Sequence, residues 1–230
     1  MPATATVLLW DIDGTLLASG GAGRRAMTAA FGELWGRNDA CDSFALGGMT
    51  DRLIVRTALQ AIGVAVTAAR MDQVLDRYLE LLPGSIARAT DYHVHRGVVA
   101  ALDDAARLPR CVIGLGTGNV RQGAQAKLAP VGLHDRFAFG GFGCDAEDRT
   151  ELLAVGARRG AALLGRAVED CRIVVIGDTP RDVTAGHAIG AEVLAVATGL
   201  VSLDKLQACG PKWAFADLEL AGPLGALLGG

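Results

Sequence analysis

Lysine is nearly missing from this chain of 230 residues: it occurs only at Lys127, Lys205 and Lys212, so arginine carries almost all of the positive charge. Basic runs of the kind that grip polyanions are absent. A net charge of −3 at pH 7 and a pI near 5.8 leave no electrostatic footprint for nucleic acid. No Cys-x-x-Cys occurs, and the five cysteines (Cys41, Cys111, Cys144, Cys171 and Cys209) are odd in number and widely spaced. That pattern argues against a zinc site or a disulfide framework and fits reduced thiols in an intracellular protein. No apolar stretch approaches the ~20 residues that a membrane span needs. The segment Met1–Thr6 lacks a basic start, and the apolar run after it stops at Asp11, unlike a signal peptide. The expectation is a cytoplasmic protein, monomer or homodimer, without membrane or nucleic-acid partners.

Hydrophobic residues make up 51% of the chain and mean hydropathy is +0.33, enough for a sizeable packed core. Strand-like apolar runs recur at Val7–Asp13, Cys111–Leu115, Arg136–Phe139, Arg172–Ile176 and Glu192–Val196, with a weaker one at Trp213–Phe215. Helix-like segments separate most of them. Strands alternating with helices predict an α/β fold built on a doubly wound parallel sheet, in which ligands bind beyond the carboxyl ends of the strands. The first gap is different. Between Leu17 and Asp91 no buried strand is visible, but three helical patterns are, at 22–36, 50–62 and 67–88. Met27, Phe31, Leu34 and Trp35 share one face of the first, and Met71, Val74, Leu75, Tyr78, Leu81 and Leu82 one face of the third. About 70 residues is far too long for a crossover loop. The reading is an inserted all-helical domain over 18–90, within a core made of 1–17 and 91–230. The core resumes near Arg96-Gly97-Val98.

The acids lie at strand tips. Val7–Trp10 runs into Asp11-Ile12-Asp13-Gly14-Thr15-Leu16. Carboxylates at the end of a buried strand are costly unless a cation pairs with them, and a hard divalent ion such as Mg²⁺ suits oxygen ligands. Residues i and i+2 of a strand face the same side, so Asp11 and Asp13 can share a pocket. Val112–Leu115 leads into Gly116-Thr117-Gly118-Asn119, and Ile173–Ile176 into Gly177-Asp178-Thr179-Pro180-Arg181-Asp182.

These motifs, with the helical insertion between the first and second, resemble the haloacid dehalogenase superfamily, and among its members the phosphoglycolate-phosphatase-like enzymes with a helical C1 cap. The resemblance implies a Rossmann-like core and Mg²⁺-dependent hydrolysis of a small phosphorylated metabolite through an aspartyl-phosphate. Asp11 would be the nucleophile and Asp13 the general acid/base. Mg²⁺ would bind Asp11, the Asp13 carbonyl and Asp178, with Asp182 acting through water or by orienting a basic residue. Gly14, Thr117, Gly118 and Asn119 would hold phosphate oxygens. The family's third motif is a basic residue, usually Lys before Pro, and no Lys-Pro occurs here. Arg149, after a strand and before a helix, fits the role; Lys127 is the alternative, although its place inside a helix reads as a solvated face. The loop Gly47–Arg52 between cap helices offers Thr50 and Arg52 as substrate contacts, with an N-cap role for Thr50 as the plain alternative. Asp13 argues against 2-haloacid dehalogenase chemistry. The catalytic rival is a β-phosphoglucomutase-like phosphotransferase; a non-catalytic phospho-ligand-binding module is a third reading.

Overall fold

A computed structural model of the chain describes residues 4–228. The start of the N-terminal segment read above, residues 1–3, lies outside the described residues, as do residues 229 and 230.

Strand β1 (Thr6–Trp10) occupies the interior of a six-stranded sheet. Its side chains alternate: Leu8 and Trp10 enter one apolar cluster, Val7 and Leu9 the other. Both faces are therefore covered, which is why the strand reads as a continuous apolar run. The chain then forms a two-residue strand β2 (Leu17–Ala18) and leaves the sheet for three helices, α1 (Ala22–Trp35), α2 (Asp51–Ala61) and α3 (Ala68–Ala87). These pack on one another around a separate apolar cluster that includes Met27, Phe31, Val55, Leu59, Val74 and Tyr78. The return passes through β3 (His93–Val94), which pairs antiparallel with β2 and ties the exit to the entry. Helix α4 (Val98–Arg107) begins after Gly97, at the expected re-entry point.

From there strand and helix alternate. Strand β4 (Cys111–Thr117) is followed by α5 (Arg121–Leu128), β5 (Phe139–Phe142) by α6 (Arg149–Leu163), and β6 (Arg172–Gly177) by α7 (Pro180–Ala188). Strands β7 (Glu192–Val196) and β8 (Trp213–Phe215) flank α8 (Leu203–Gln207), and α9 (Leu218–Ala221) and α10 (Leu224–Leu228) close the described chain. The order is β5-β4-β1-β6-β7-β8, and every neighbouring pair is parallel. Helices α4, α5, α9 and α10 cover one face; α6, α7 and α8 cover the other. The fold class read from the sequence is the one observed. Because β4 and β6 lie on opposite sides of β1, the connections diverge there, and the tips of these three strands meet at the topological switch point, where folds of this kind bind ligands.

The strand expected at Arg136–Phe139 is a correction. Residues His134–Arg136 form a 3-10 turn, and the strand lies at Phe139–Phe142. Its centre, Gly140-Gly141, carries no β signal in the sequence. A Cβ at Gly141 would collide with the Leu152 carbonyl of α6, so the missing side chain is what lets that helix lie close on the sheet. Gly141→Ala is expected to cost about 1–3 kcal/mol, as overpacking does elsewhere, measured by chemical denaturation. A change within about 0.5 kcal/mol would show that the contact is soft.

Candidate active site

Asp11 is the first residue beyond β1, held by its N–H donating to the Ile176 carbonyl at 2.9 Å. Asp178 is the first beyond β6, and Thr117 ends β4. The register sets these tips level, with Trp10 opposite both Leu115 and Ile176. One carboxylate oxygen each from Asp11, Asp178 and Asp182 lies within 4.8 Å of the others. Gly14 turns the chain away with φ of 84°, and the Thr15 hydroxyl donates to Asp178 Oδ1 at 3.1 Å. A Cβ at Gly14 or at Gly199 would overlap the Asp178 carboxylate. Thr15 belongs to the first motif but was given no role of its own there, and nothing in the local pattern of Gly199, in the loop after β7, marks it.

Arg149 heads α6, where Asp148 caps the helix by accepting from Glu151 N. Its guanidinium is buried, 3.0 Å from Asp11 Oδ2 and paired also with Asp182. Asp182 is fully buried; its other oxygen accepts from Thr179 N at 3.0 Å and Thr179 Oγ1 at 2.6 Å in a capping box. One Asp182 oxygen is engaged by Arg149 and the other by Thr179, which lets Asp182 orient Arg149. Removing one partner of such a buried pair typically costs ~3–5 kcal/mol.

Lys127 requires a correction. It lies on the inner face of α5 and is only 4% exposed. Its ammonium is 2.6 Å from Asp13 Oδ2 and 2.7 Å from Asn119 Oδ1. The two basic residues weighed for one role thus serve different acids: Arg149 faces Asp11, and Lys127 faces Asp13.

Residues 47–56 of the inserted helical segment make polar contacts with the core. Asp51 N donates to the Gly118 carbonyl, and Val120 N donates to Asp51 Oδ2, both at 2.8 Å. The Thr50 hydroxyl donates to the Glu147 carbonyl at 2.8 Å and accepts from Leu53 N as the N-cap of α2. Arg56 forms a two-point pair with Glu147 at 2.7 and 3.0 Å, while Arg52 reaches Asp72 at 3.2 Å and Glu147 at 3.8 Å. The polar groups of Thr50 and Arg52 thus serve capping and docking here, with the Thr50 backbone lying against Gly118. Asp51 and Glu147 were missed as docking residues, since only the assembled seam defines them.

Burial raises the Asp11 carboxyl to about 6, against the pull of Arg149 and with repulsion from Asp182 and Asp13. Asp178 is pushed well above its ordinary value by burial, then by Asp182 and Asp11. Burial would raise Asp13 too, but the charge and hydrogen bond of Lys127, with hydrogen bonds from Asn119 and Ser19, hold it below the usual carboxylate range. Asp51, buried in the seam, rises to about 6. The unmet negative charge at Asp11 and Asp178, together with their all-oxygen donor set, fits a hard divalent cation.

A family model for haloacid dehalogenase-like hydrolases matches residues 5–190. The chain belongs to the haloacid dehalogenase-like hydrolases. Solved structures share the fold across nearly the whole chain. CbbY from Rhodobacter sphaeroides, in complex with phosphate, superposes with a TM-score of 0.73 at 14% identity, covering 98% of this chain and 99% of that one. A predicted phosphoglycolate phosphatase from Haemophilus somnus gives 0.66 at 15% identity, covering 95% and 96%. A candidate beta-phosphoglucomutase from Bacteroides vulgatus gives 0.66 at 16% identity, covering 98% and 90%. At such identities the likeness speaks for the fold. No curated protein matches the chain. Among the described residues of this family member, no helix is long and apolar enough to cross a membrane.

A pH dependence follows for the hydrolase. With its folded value near 6 against 3.8 ordinarily, Asp11 binds a proton more readily in the folded than in the unfolded protein. Stability without metal therefore falls as pH rises from about 4 through about 6. Protons compete with Mg²⁺ for the same oxygens. Millimolar Mg²⁺ is expected to raise Tm more at about pH 7.5 than at about pH 5, measured by differential scanning calorimetry. Equal gains at both pH values would contradict the assignment.

Proposed function

We propose that this chain is a Mg²⁺-dependent phosphomonoesterase acting through an aspartyl-phosphate on a small phosphorylated metabolite, phosphoglycolate-like or a sugar phosphate, with residues 18–90 serving as its cap. The observation that carries the reading is the placement of Asp11, Asp13, Thr117, Arg149 and Asp178 around one crevice at the switch point. Phosphate monoesters resist hydrolysis so strongly that their enzymes supply up to ~10²¹-fold acceleration, which several groups must share.

Asp11 supplies the nucleophile: its carboxylate oxygen bonds to phosphorus as the ester P–O bond breaks. Arg149, fixed by Asp182, neutralises Asp11 and offers N–H donors to phosphoryl oxygens. The Thr117 hydroxyl and the Gly118 amide, ahead of α5, supply further donors, whereas both N–H bonds of the Asn119 side chain are already committed to Asp13 and Thr117. Asp13 gives a proton to the departing alkoxide; a phosphate dianion beside it raises its proton affinity for that step. It then takes a proton from water as the water oxygen attacks phosphorus, which releases phosphate and restores the Asp11 carboxylate. Asp11, Asp178 and the Asp13 carbonyl would hold Mg²⁺, which screens the repulsion between carboxylates and phosphate when bound. The cap, docked through Asp51, Thr50 and Arg56, shields the crevice from water, and opening that seam admits substrate.

A panel of phosphate esters assayed for released phosphate tests the reading. Activity is expected with Mg²⁺ and not after thorough chelation, and Asp11→Asn is expected to lower kcat/KM by at least ~10³-fold. Activity that survives chelation, or a loss below ~10²-fold, would overturn it. An isomerised sugar phosphate in place of free phosphate would assign mutase chemistry to the same residues.

A further inference from the structure

Lys127 has no part in the chemistry above, yet burying a lysine is rare and costly unless its charge is matched. Its surroundings are built. The Tyr92 hydroxyl donates to the Lys127 carbonyl at 2.5 Å, fixing that turn of α5. The ammonium donates to Asp13 Oδ2 and Asn119 Oδ1, while Asn119 Nδ2 donates to the same Asp13 Oδ2 at 2.9 Å and to Thr117 Oγ1 at 2.9 Å. Lysine, amide and carboxylate thus close a triangle that is anchored to the β4 tip. Asp13 Oδ2 carries both of these donors, and Oδ1, which takes neither, is the oxygen left to turn toward a substrate. The exposures agree: the Lys127 side chain is 5% exposed and that of Asp13 37%, so the cation approaches from the protein side and the carboxylate keeps an open edge.

We propose that Lys127 is a positioning residue for the leaving-group step: with Asn119 it pins Asp13 Oδ2, so that Oδ1 is the atom that delivers the proton to the departing oxygen. This rests on the phosphatase reading above. Without the pin, Asp13 rotates about χ1 and χ2, and proton delivery is lost more than phosphate binding. The consequence depends on the leaving group. An alkoxide needs the proton as its P–O bond breaks, whereas p-nitrophenolate leaves without one. A lysine that only stabilises the fold has no means of telling these esters apart.

The test is kcat/KM for Lys127→Met on p-nitrophenyl phosphate, phenyl phosphate and an alkyl phosphate, at a temperature where circular dichroism shows the variant folded. The expected loss on the alkyl ester exceeds that on p-nitrophenyl phosphate by at least ~10-fold, within the ~10²–10⁴-fold range of general acid catalysis. Lys127→Arg, which keeps a buried cation but cannot place one point charge between both oxygens, is read the same way if the Met variant does not fold. Equal losses across the three esters, in whichever variant folds, would overturn the positioning role while leaving the phosphatase reading intact. A wild-type chain that hydrolyses none of them would overturn that reading and, with it, this inference.

Discussion

Excess negative charge at the rim of the sheet is the constraint on which the rest of this structure depends. Asp11, Asp13, Asp51, Asp178 and Asp182 converge there, and among the described residues Arg149 and Lys127 are the buried cations that oppose them. Burial alone would protonate most of these acids. Asp13 escapes through its lysine, whereas Asp11 and Asp178 do not escape and stay raised. A site built this way stores an affinity for something cationic, and beyond that ion for an anion that shares it. The hydrolase family to which the chain belongs supplies a chemical context for both.

The fold delivers that charge through ordinary strand physics. Apolar strands buried on both faces end at the same level, and each hands over to a polar residue at the moment it leaves the sheet. Rigidity comes from the layers beneath: α6 lies on Gly141 closely enough to aim Arg149, and α7 opens with a capping box that fixes Asp182. The helical insertion adds a second apolar cluster, which Val120 and Ala126 of the core also join, and a polar seam along residues 47–56. A seam of hydrogen bonds and partly exposed ion pairs is easier to open than a packed core.

Much of this was legible in the sequence, and the exceptions have physical reasons. Apolar runs placed β4, β6, β7 and β8 within two residues, and β1 with its end three residues too late, since strands covered on both faces have no other composition open to them. Helical periodicity placed α1, α2 and α3. The strand at Phe139–Phe142 was displaced because its glycines answer to a neighbouring helix and not to strand propensity. The two-residue strands β2 and β3 are too short to show any period. Arg149 could be singled out because it stands between a strand and a helix in a motif of fixed order. Lys127 could not, because its burial is decided by a carboxylate 114 positions away. Thr50 and Arg52 were singled out by their place in the loop, whereas their observed partners, a helix start and neighbouring acids, are set by the assembled seam.

The most direct measurement compares the stability of wild type and Asp178→Asn near neutral pH, by chemical denaturation, in chelator and in saturating Mg²⁺. If unmet charge at the rim is the organising fact, the amide relieves repulsion where no ion is present. The variant is then more stable than wild type in chelator, and less stable than wild type once Mg²⁺ is added. A variant that is destabilised equally in both buffers would contradict the account, because Asp178 would then be an ordinary structural carboxylate with no ion to hold.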